Sequence, residues 1–302
     1  MDEQLIALYH RHAATAFDRG ARLAALIEQK ASGEKCAYDV GNATLSFGKL
    51  KFEAPLLGAH ASGNDSWLWS WSNRNLKLTI TNRALGDLVR VTAQRLTVPM
   101  LAHAGFSIEP LLGAELTKHA ANVFGSILAR ELGYDAHYVT AEPGHRSAIL
   151  VRDDRFKVAE RYPLNRVLTL FPKVIRSLPV SDHSAALAAY AHDYSLTVTD
   201  GHGTLTVGDG KGEILATFDE HNRLTKMTGT NVSAPPEKKS TPAKRVTAKP
   251  PVKKTAKVPK KTTTKKVTAK PANKKPVAAK VLKKKATKPA PKTSAKKPVK
   301  KR

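Results

Sequence analysis

The sequence predicts an α+β fold, antiparallel sheet packed with helices, followed by a disordered basic tail. Three observations carry that expectation. Residues 2–30 repeat apolar side chains at intervals of three and four, the spacing of a helix face. Residues 36–72 and 195–227 break into short runs separated by Gly, Asn and Asp, the pattern of strands joined by tight turns. After residue 233 the composition changes abruptly. Residues 234–302 hold 26 of the 51 Lys and Arg residues and 11 of the 18 prolines, but one acid, Glu237. That leaves 25 basic and 24 acidic residues in 1–233, so nearly all of the net charge of +26 belongs to the tail. Residues 1–233 are long enough for one large domain, with a candidate sub-boundary near 155–180.

In the opening helix Leu5, Leu8, Tyr9, Ala13, Ala16, Phe17, Leu23, Ala24 and Ile27 make the apolar stripe. Gly20 weakens the helix without ending it, and Ser32-Gly33 stops it. Runs at 36–40, 44–47, 50–57 and 66–72 read as strands, divided by Gly41-Asn42, Gly48-Lys49 and residues 62–65. Links this short favour an antiparallel meander. In the last run, alternation puts Trp67, Trp69 and Trp71 on one face. They read either as the wall between sheet and helices or as a ligand platform.

Residues 82–96 and 114–132 are helical by periodicity, the second ended by Gly133. Residues 136–140 and 148–152 flank Glu142-Pro143-Gly144-His145, a hairpin turn, and 155–159 suggest one more strand. Residues 164–178 read as a helix divided by Pro172, and 181–192 as another, capped by Ser181 or Asp182. Runs at 195–199, 203–207, 213–218 and 223–227 close the body as a second antiparallel meander.

Several of these segments also resemble a bacterial domain family of unknown function. The resemblance rests on Ala7-Leu8-Tyr9-His10-Arg11-His12-Ala13, Tyr38-Asp39-Val40, Leu45-Ser46-Phe47-Gly48, Leu56-Leu57-Gly58 and the strand Trp67–Asn73. The family is marked by a T-W-L-W-A-W-A-N strand; here Ser70 and Ser72 stand where it often has Ala. The likeness covers roughly residues 5–152, implies a fold, and supplies no catalytic residue.

The tail uses a narrow alphabet of Lys, Pro, Ala, Thr and Val, with no aromatic residue and no glycine. Such a segment cannot bury enough apolar surface to offset the entropy of ordering it, and its prolines block long helices. Its cations recur as Lys238, Lys239, Lys244, Arg245, Lys253, Lys254, Lys260, Lys261, Lys265, Lys266, Lys274 and Lys275, then Lys283, Lys284, Lys285, Lys296, Lys297, Lys300, Lys301 and Arg302. Regularly spaced cations on a flexible strand suit the phosphate backbone of a nucleic acid. Lysines without aromatics act as point charges and read no bases. Residues 247–254 read Thr-Ala-Lys-Pro-Pro-Val-Lys-Lys and 294–301 read Ser-Ala-Lys-Lys-Pro-Val-Lys-Lys. This idiom resembles linker-histone tails and the similar tails of some bacterial nucleoid proteins, which implies DNA binding without sequence preference.

Chemistry is harder to find in the body. His10 and His12 fall on different helix faces, and no paired Cys or His-Glu-x-x-His motif occurs. His137 and His145 flank the hairpin and are the candidate pair for a metal, with satisfied histidines as the plainer reading. Gly208, Gly210 and Gly212 lie between strands, as a hairpin turn does, and not ahead of a helix, as a phosphate loop does. The lone Cys36 on a strand reads as packed. No catalytic residue, cofactor or metal ligand is therefore assigned. The expectation is a non-enzymatic, cytoplasmic, nucleoid-associated protein with DNA as partner, RNA or polyphosphate as alternatives, and no membrane. The alternative is an enzyme or ligand-binding domain that the tail localises to DNA or RNA.

Overall fold

Residues 1–78, 80–156 and 160–232 are described by a computed structural model. The first helix, α1 (Glu3–Ala31), runs 29 residues. Asp2 starts it, its side chain accepting from Leu5 N at 3.0 Å. Leu5, Leu8, Tyr9 and Ala13 bury its N-terminal half. Gly20 is inside it, as expected, and Ser32 follows its end.

The strands after α1 do not form one meander. β1 (Cys36–Asp39), β2 (Thr44–Phe47) and β3 (Leu50–Glu53) make a three-stranded antiparallel sheet. Its register sets Leu45 against Phe52 and Phe47 against Leu50, four buried side chains on one face. The run at 50–57 then divides at Ala54-Pro55. Proline has no N–H for a ladder, so the chain leaves the first sheet there and enters a second as β4 (Leu56–Ala61). That second sheet has five antiparallel strands in the order β6-β5-β4-β8-β7. They are β5 (Ser66–Trp69), β6 (Gly105–Ser107), β7 (Ala136–Glu142) and β8 (His145–Val151) beside β4. β7 and β8 form the hairpin expected around Pro143-Gly144, where Gly144 takes the left-handed φ of +84°.

α2 (Ile80–Arg95) follows β5. The helix expected over 114–132 is two, α3 (Glu109–Thr117) and α4 (Ala120–Glu131). The apolar spacing continues through both, but the backbone turns at Lys118-His119, and Gly113 departs from helical geometry at φ +75°. α4 buries Ala120, Ala121 and the seven consecutive residues Val123 to Ala129. α5 (Pro163–Ser177) continues through Pro172, which the sequence takes as a divider. The stripe of Leu164, Val167, Leu170, Phe171 and Val174 is buried on both sides of the proline, and that burial outweighs the one lost backbone bond. α6 (His183–Asp193) is capped by Asp182, which accepts from Ala185 N at 2.9 Å.

The second meander is as expected. β9 (Thr197–Gly201), β10 (Thr204–Gly208), β11 (Glu213–Phe218) and β12 (Leu224–Thr230) pair in sequence order, all antiparallel. Leu205, Val207, Ile214, Ala216 and Phe218 turn inward. One continuous buried cluster runs from Leu5 on α1 through α4 and α5 to Phe218 on β11. Residues 154–156 form a turn of 3-10 helix, not a strand, and the rest of the stretch expected there, 157–159, lies outside the described residues.

Candidate functional site

The three tryptophans are packing residues. β5 ends at Trp69, and residues 70–72 turn into a 3-10 helix, so Trp71 does not continue the strand face as expected. Its indole nonetheless returns to stack on Trp69, with centroids 4.9 Å apart and planes 11° apart. Trp67 meets Trp69 edge-on at 5.2 Å, and Phe124 of α4 lies 4.7 Å from Trp67. Trp67 and Trp69 are wholly buried, and Trp71 is half-buried. Two glycines make room. A Cβ on Gly58 of β4 would stand 2.7 Å from Trp67 Cζ2, and one on Gly86 of α2 would stand 2.7 Å from Trp71 Cγ. The indoles are thus the wall between the five-stranded sheet and the helices, and none lines the clefts described next.

Ile6 and His10 of α1 line a cleft of about 600 Å³ near the start of the helix, and two more open further along it. The first of these two, about 290 Å³, is charged and is lined by Asp18, Arg19, Arg22, Glu160, Asp193 and Tyr194 among others. Asp18 is almost wholly out of water. Its carboxylate accepts from Arg166 Nε at 2.8 Å, from Arg166 Nη2 and from the Tyr194 hydroxyl. Arg22 Nε stands 3.5 Å away, and Arg22 Nη2 donates to Glu160 at 2.7 Å and to Tyr194 Oη at 2.8 Å. Asp193 accepts from Thr15 and from Arg130. Burial opposes the Asp18 charge, but the Arg166 and Tyr194 hydrogen bonds and the two guanidiniums hold its carboxyl below the usual range. Burial, with Asp18 adjacent, pushes the Tyr194 phenol up to about 12. Each guanidinium here already faces a carboxylate or a carbonyl, so the cleft offers little spare charge to a ligand. Its work is to fasten α1 to α5 and α6.

The second cleft, about 530 Å³, is largely apolar. Ala16, Gly20 and Ala24 of α1 form one wall, Tyr138 and Val139 of β7 another, and Phe47 of β2 closes one side. Asn122 and Ser126 of α4 and His137 of β7 supply the polar end. The imidazole lies against Gly125, where a Cβ would come within 2.6 Å of its Cδ2. The ring is half-buried overall, yet its Nδ1 is sealed from water with no hydrogen-bond partner, and Nε2 reaches only Asn122 Oδ1 at 3.4 Å. Burial pushes its pKa down to about 4, so the ring is neutral at neutral pH.

The other sequence candidates fall apart spatially or find structural partners. His137 pairs with Leu150 and His145 with Glu142, at opposite ends of the hairpin, so the two histidines do not approach each other. Among the described residues no group of three or more metal-ligating side chains occurs. His10 contacts Ser181 Oγ at 3.2 Å, His12 contacts Glu131 Oε1 at 2.8 Å, and His60 contacts Asp65 Oδ1 at 3.1 Å. Gly208 to Gly212 is a turn in which Asp209 accepts from Lys211 N and Gly212 N, each at 2.9 Å. Cys36 is exposed on β1, contrary to the packed position expected, because β1 is an edge strand with most of its side chains in solvent. Burial of its sulfur still pushes the thiol up, away from a reactive thiolate. The tail cations, from Lys238 to Arg302, lie outside the described residues.

Sequence reasoning missed both clefts. Asp18 and Arg22 stand at i, i+4, but nothing near them points to Arg166 or Tyr194, which follow some 150 residues later. The apolar cleft left one trace, the small residues Ala16, Gly20, Ala21 and Ala24 on the stripe of α1.

Among the described residues the fold defines an α+β protein with three antiparallel sheets and clefts along its first helix. Residues 6–154 match the model of a family described as "Family of unknown function (DUF6882)". That extent agrees with the likeness seen across residues 5–152. It takes in α1, the first two sheets and α2 to α4, and stops before α5. No curated protein and no solved structure matches the chain.

Proposed function

We propose that this protein associates with nucleic acid through residues 234–302, binding DNA without sequence preference, and that residues 1–233 are the body the polycation carries there. One observation supports the reading above all: 26 of 51 basic residues fall in 234–302 against one of 25 acids. Charge segregated to this degree exceeds what solubility asks for. The body is the complement. Its net charge is +1, and many of its arginines are tied up, Arg22 to Glu160, Arg95 to Glu131, Arg130 to Asp193, Arg155 to Asp153 and Arg166 to Asp18. A lysine-rich partner neutralises phosphates and releases counterions, which raises affinity at low salt and gives little base discrimination.

The test is a binding titration of the full chain and of residues 1–233 on duplex DNA at several salt concentrations. Engagement of about 8 lysines gives a slope of log K against log salt of roughly −7. Comparable affinity without residues 234–302 refutes the proposal. Competition among DNA, RNA and polyphosphate then ranks the polyanions.

A further inference from the structure

The apolar stripe of α1 joins two buried clusters and is open between them. Leu5, Leu8, Tyr9 and Ala13 lie in the larger cluster, and Leu23 and Ala31 lie in a second one with β2 and β3, against which Leu26 and Ile27 pack; between them Gly20 and Ala24 face the 530 Å³ cleft. Gly20 sharpens the point. A glycine within a helix is less favourable than alanine, so a close contact is its usual justification. Here a Cβ at Gly20 would meet nothing within 4 Å. The protein's own packing gives no reason for the missing side chain, and the space in front of it is open. Of the described residues that line the cleft, His137 is the one with a buried side-chain atom, Nδ1, that has no hydrogen-bond partner.

We propose that this cleft binds a small, uncharged, largely apolar molecule that carries one hydrogen-bond donor. The volume falls in the range of small-molecule sites, roughly 300–1,000 Å³. The apolar body of the ligand lies along Gly20 and Ala24, against Phe47 and Val139. Its donor meets the His137 imidazole beside Asn122 and Ser126. With Nε2 donating to Asn122, Nδ1 is the free acceptor, and the ring must turn against Gly125 to bring it to the cleft. The ligand is uncharged because Glu28, the one charged residue among the described residues that line the cleft, repels an anion, and the neutral imidazole offers no counter-charge to one. A cation would lose its hydration among apolar walls, with Glu28 exposed at the rim as its sole compensation.

The experiment titrates the full-length protein with N-phenyl-1-naphthylamine, a neutral fluorophore with one N–H that the polycationic tail does not attract. A saturable, blue-shifted signal with one probe per chain is expected. Gly20→Leu fills the open space and improves helix propensity, so it should weaken the probe at least tenfold without lowering Tm. Ala24→Leu, at an exposed position of the same stripe, supplies the same reading should Gly20→Leu misfold. Leu88→Ala, on the exposed face of α2, should leave binding unchanged. In displacement of the probe, 1-naphthol should outcompete naphthalene by about fivefold, the worth of one net hydrogen bond, and His137→Phe should erase that preference. Absence of saturable binding overturns the proposal, as does a stable Gly20→Leu protein that binds the probe as the wild type does. A 1-naphthol preference that survives His137→Phe overturns the assignment of the polar end.

Discussion

Replacing Asp18 with alanine should be among the costliest single changes in the body. The carboxylate is almost fully buried and gathers two donors from Arg166, one from Tyr194 and the charge of Arg22 at 3.5 Å. Deleting it leaves two guanidiniums and a phenol facing a void. Breaking a fully buried ion pair costs ~3–5 kcal/mol. The Arg22 and Arg166 side chains keep 27% and 29% of their surface in solvent, and water partly compensates them. The expected loss is therefore about 2–3 kcal/mol for Asp18→Ala. Asp18→Asn, which keeps an acceptor for Tyr194, should lose about 1–2 kcal/mol. Urea unfolding of the full chain, followed by fluorescence of the buried indoles, measures this as a fall in midpoint at unchanged slope. The dependence on pH is a second check. The native state depresses the Asp18 pKa, so its contribution is complete above the ordinary carboxyl pKa of about 4 and drains away as pH falls through the folded value. The gap between wild type and Asp18→Asn should shrink below about pH 4. A loss under about 1 kcal/mol for Asp18→Ala at neutral pH would refute the claim that this network fastens α1 to α5 and α6.

Three further outcomes follow from particular contacts. Gly58→Ala should cost about 1–3 kcal/mol, because its Cβ would stand 2.7 Å from Trp67 Cζ2 and 2.8 Å from the Leu68 carbonyl, and backbone does not yield easily; thermal unfolding reads it. Asp182→Ala removes the cap on α6 and should cost about 1 kcal/mol, with Asp182→Ser restoring most of it. Hydrogen bonds from His12 and Arg95 hold the Glu131 carboxyl at about 2 against its burial. Stability that depends on Glu131, read as the difference from Glu131→Gln, should therefore be present above about pH 4.5 and vanish as pH falls toward 2.

Local chemistry made much of the fold legible. The long helix, the hairpin at Pro143-Gly144 and the closing meander each announce themselves through periodicity and turn residues within a few positions. What failed was non-local. The apolar spacing of 114–132 continues unbroken, so nothing in it marks the break at Lys118-His119. Strand alternation carries past Trp69, although the chain turns there to set Trp71 against Gly86 of α2. The run at 50–57 reads as one strand although it contains Pro55, because which sheet each flanking strand joins depends on β8, nearly a hundred residues on. The three-residue β6 is too short to have a period at all. The clefts were least legible, since each is a space between elements that only the assembled fold defines.

The charged and apolar clefts are linked through the geometry of one helix. At 100° per residue, Thr15, Asp18, Arg19 and Arg22 cluster on one side of α1, and Ala16, Gly20, Ala24 and Ile27 cluster nearly opposite. A helix whose apolar stripe is open at Gly20 and Ala24, between two buried clusters, gains by sliding or tilting to close that gap, since exposed apolar surface forfeits about 25 cal/mol per Å². The ion-pair network on the other side opposes that. Arg166 and Tyr194 grip Asp18, and Arg19 Nη1 donates to the Asp135 carbonyl at 3.0 Å, so α1 is held by directional bonds at the level where its apolar side stands open. The two clefts are therefore not independent. Asp18→Ala should do more than lower stability: by freeing α1 to settle onto β7, it should also weaken N-phenyl-1-naphthylamine at the apolar cleft, although Asp18 lines no part of it. Unchanged probe affinity in a folded Asp18→Ala protein would show that the cleft holds its shape without the network.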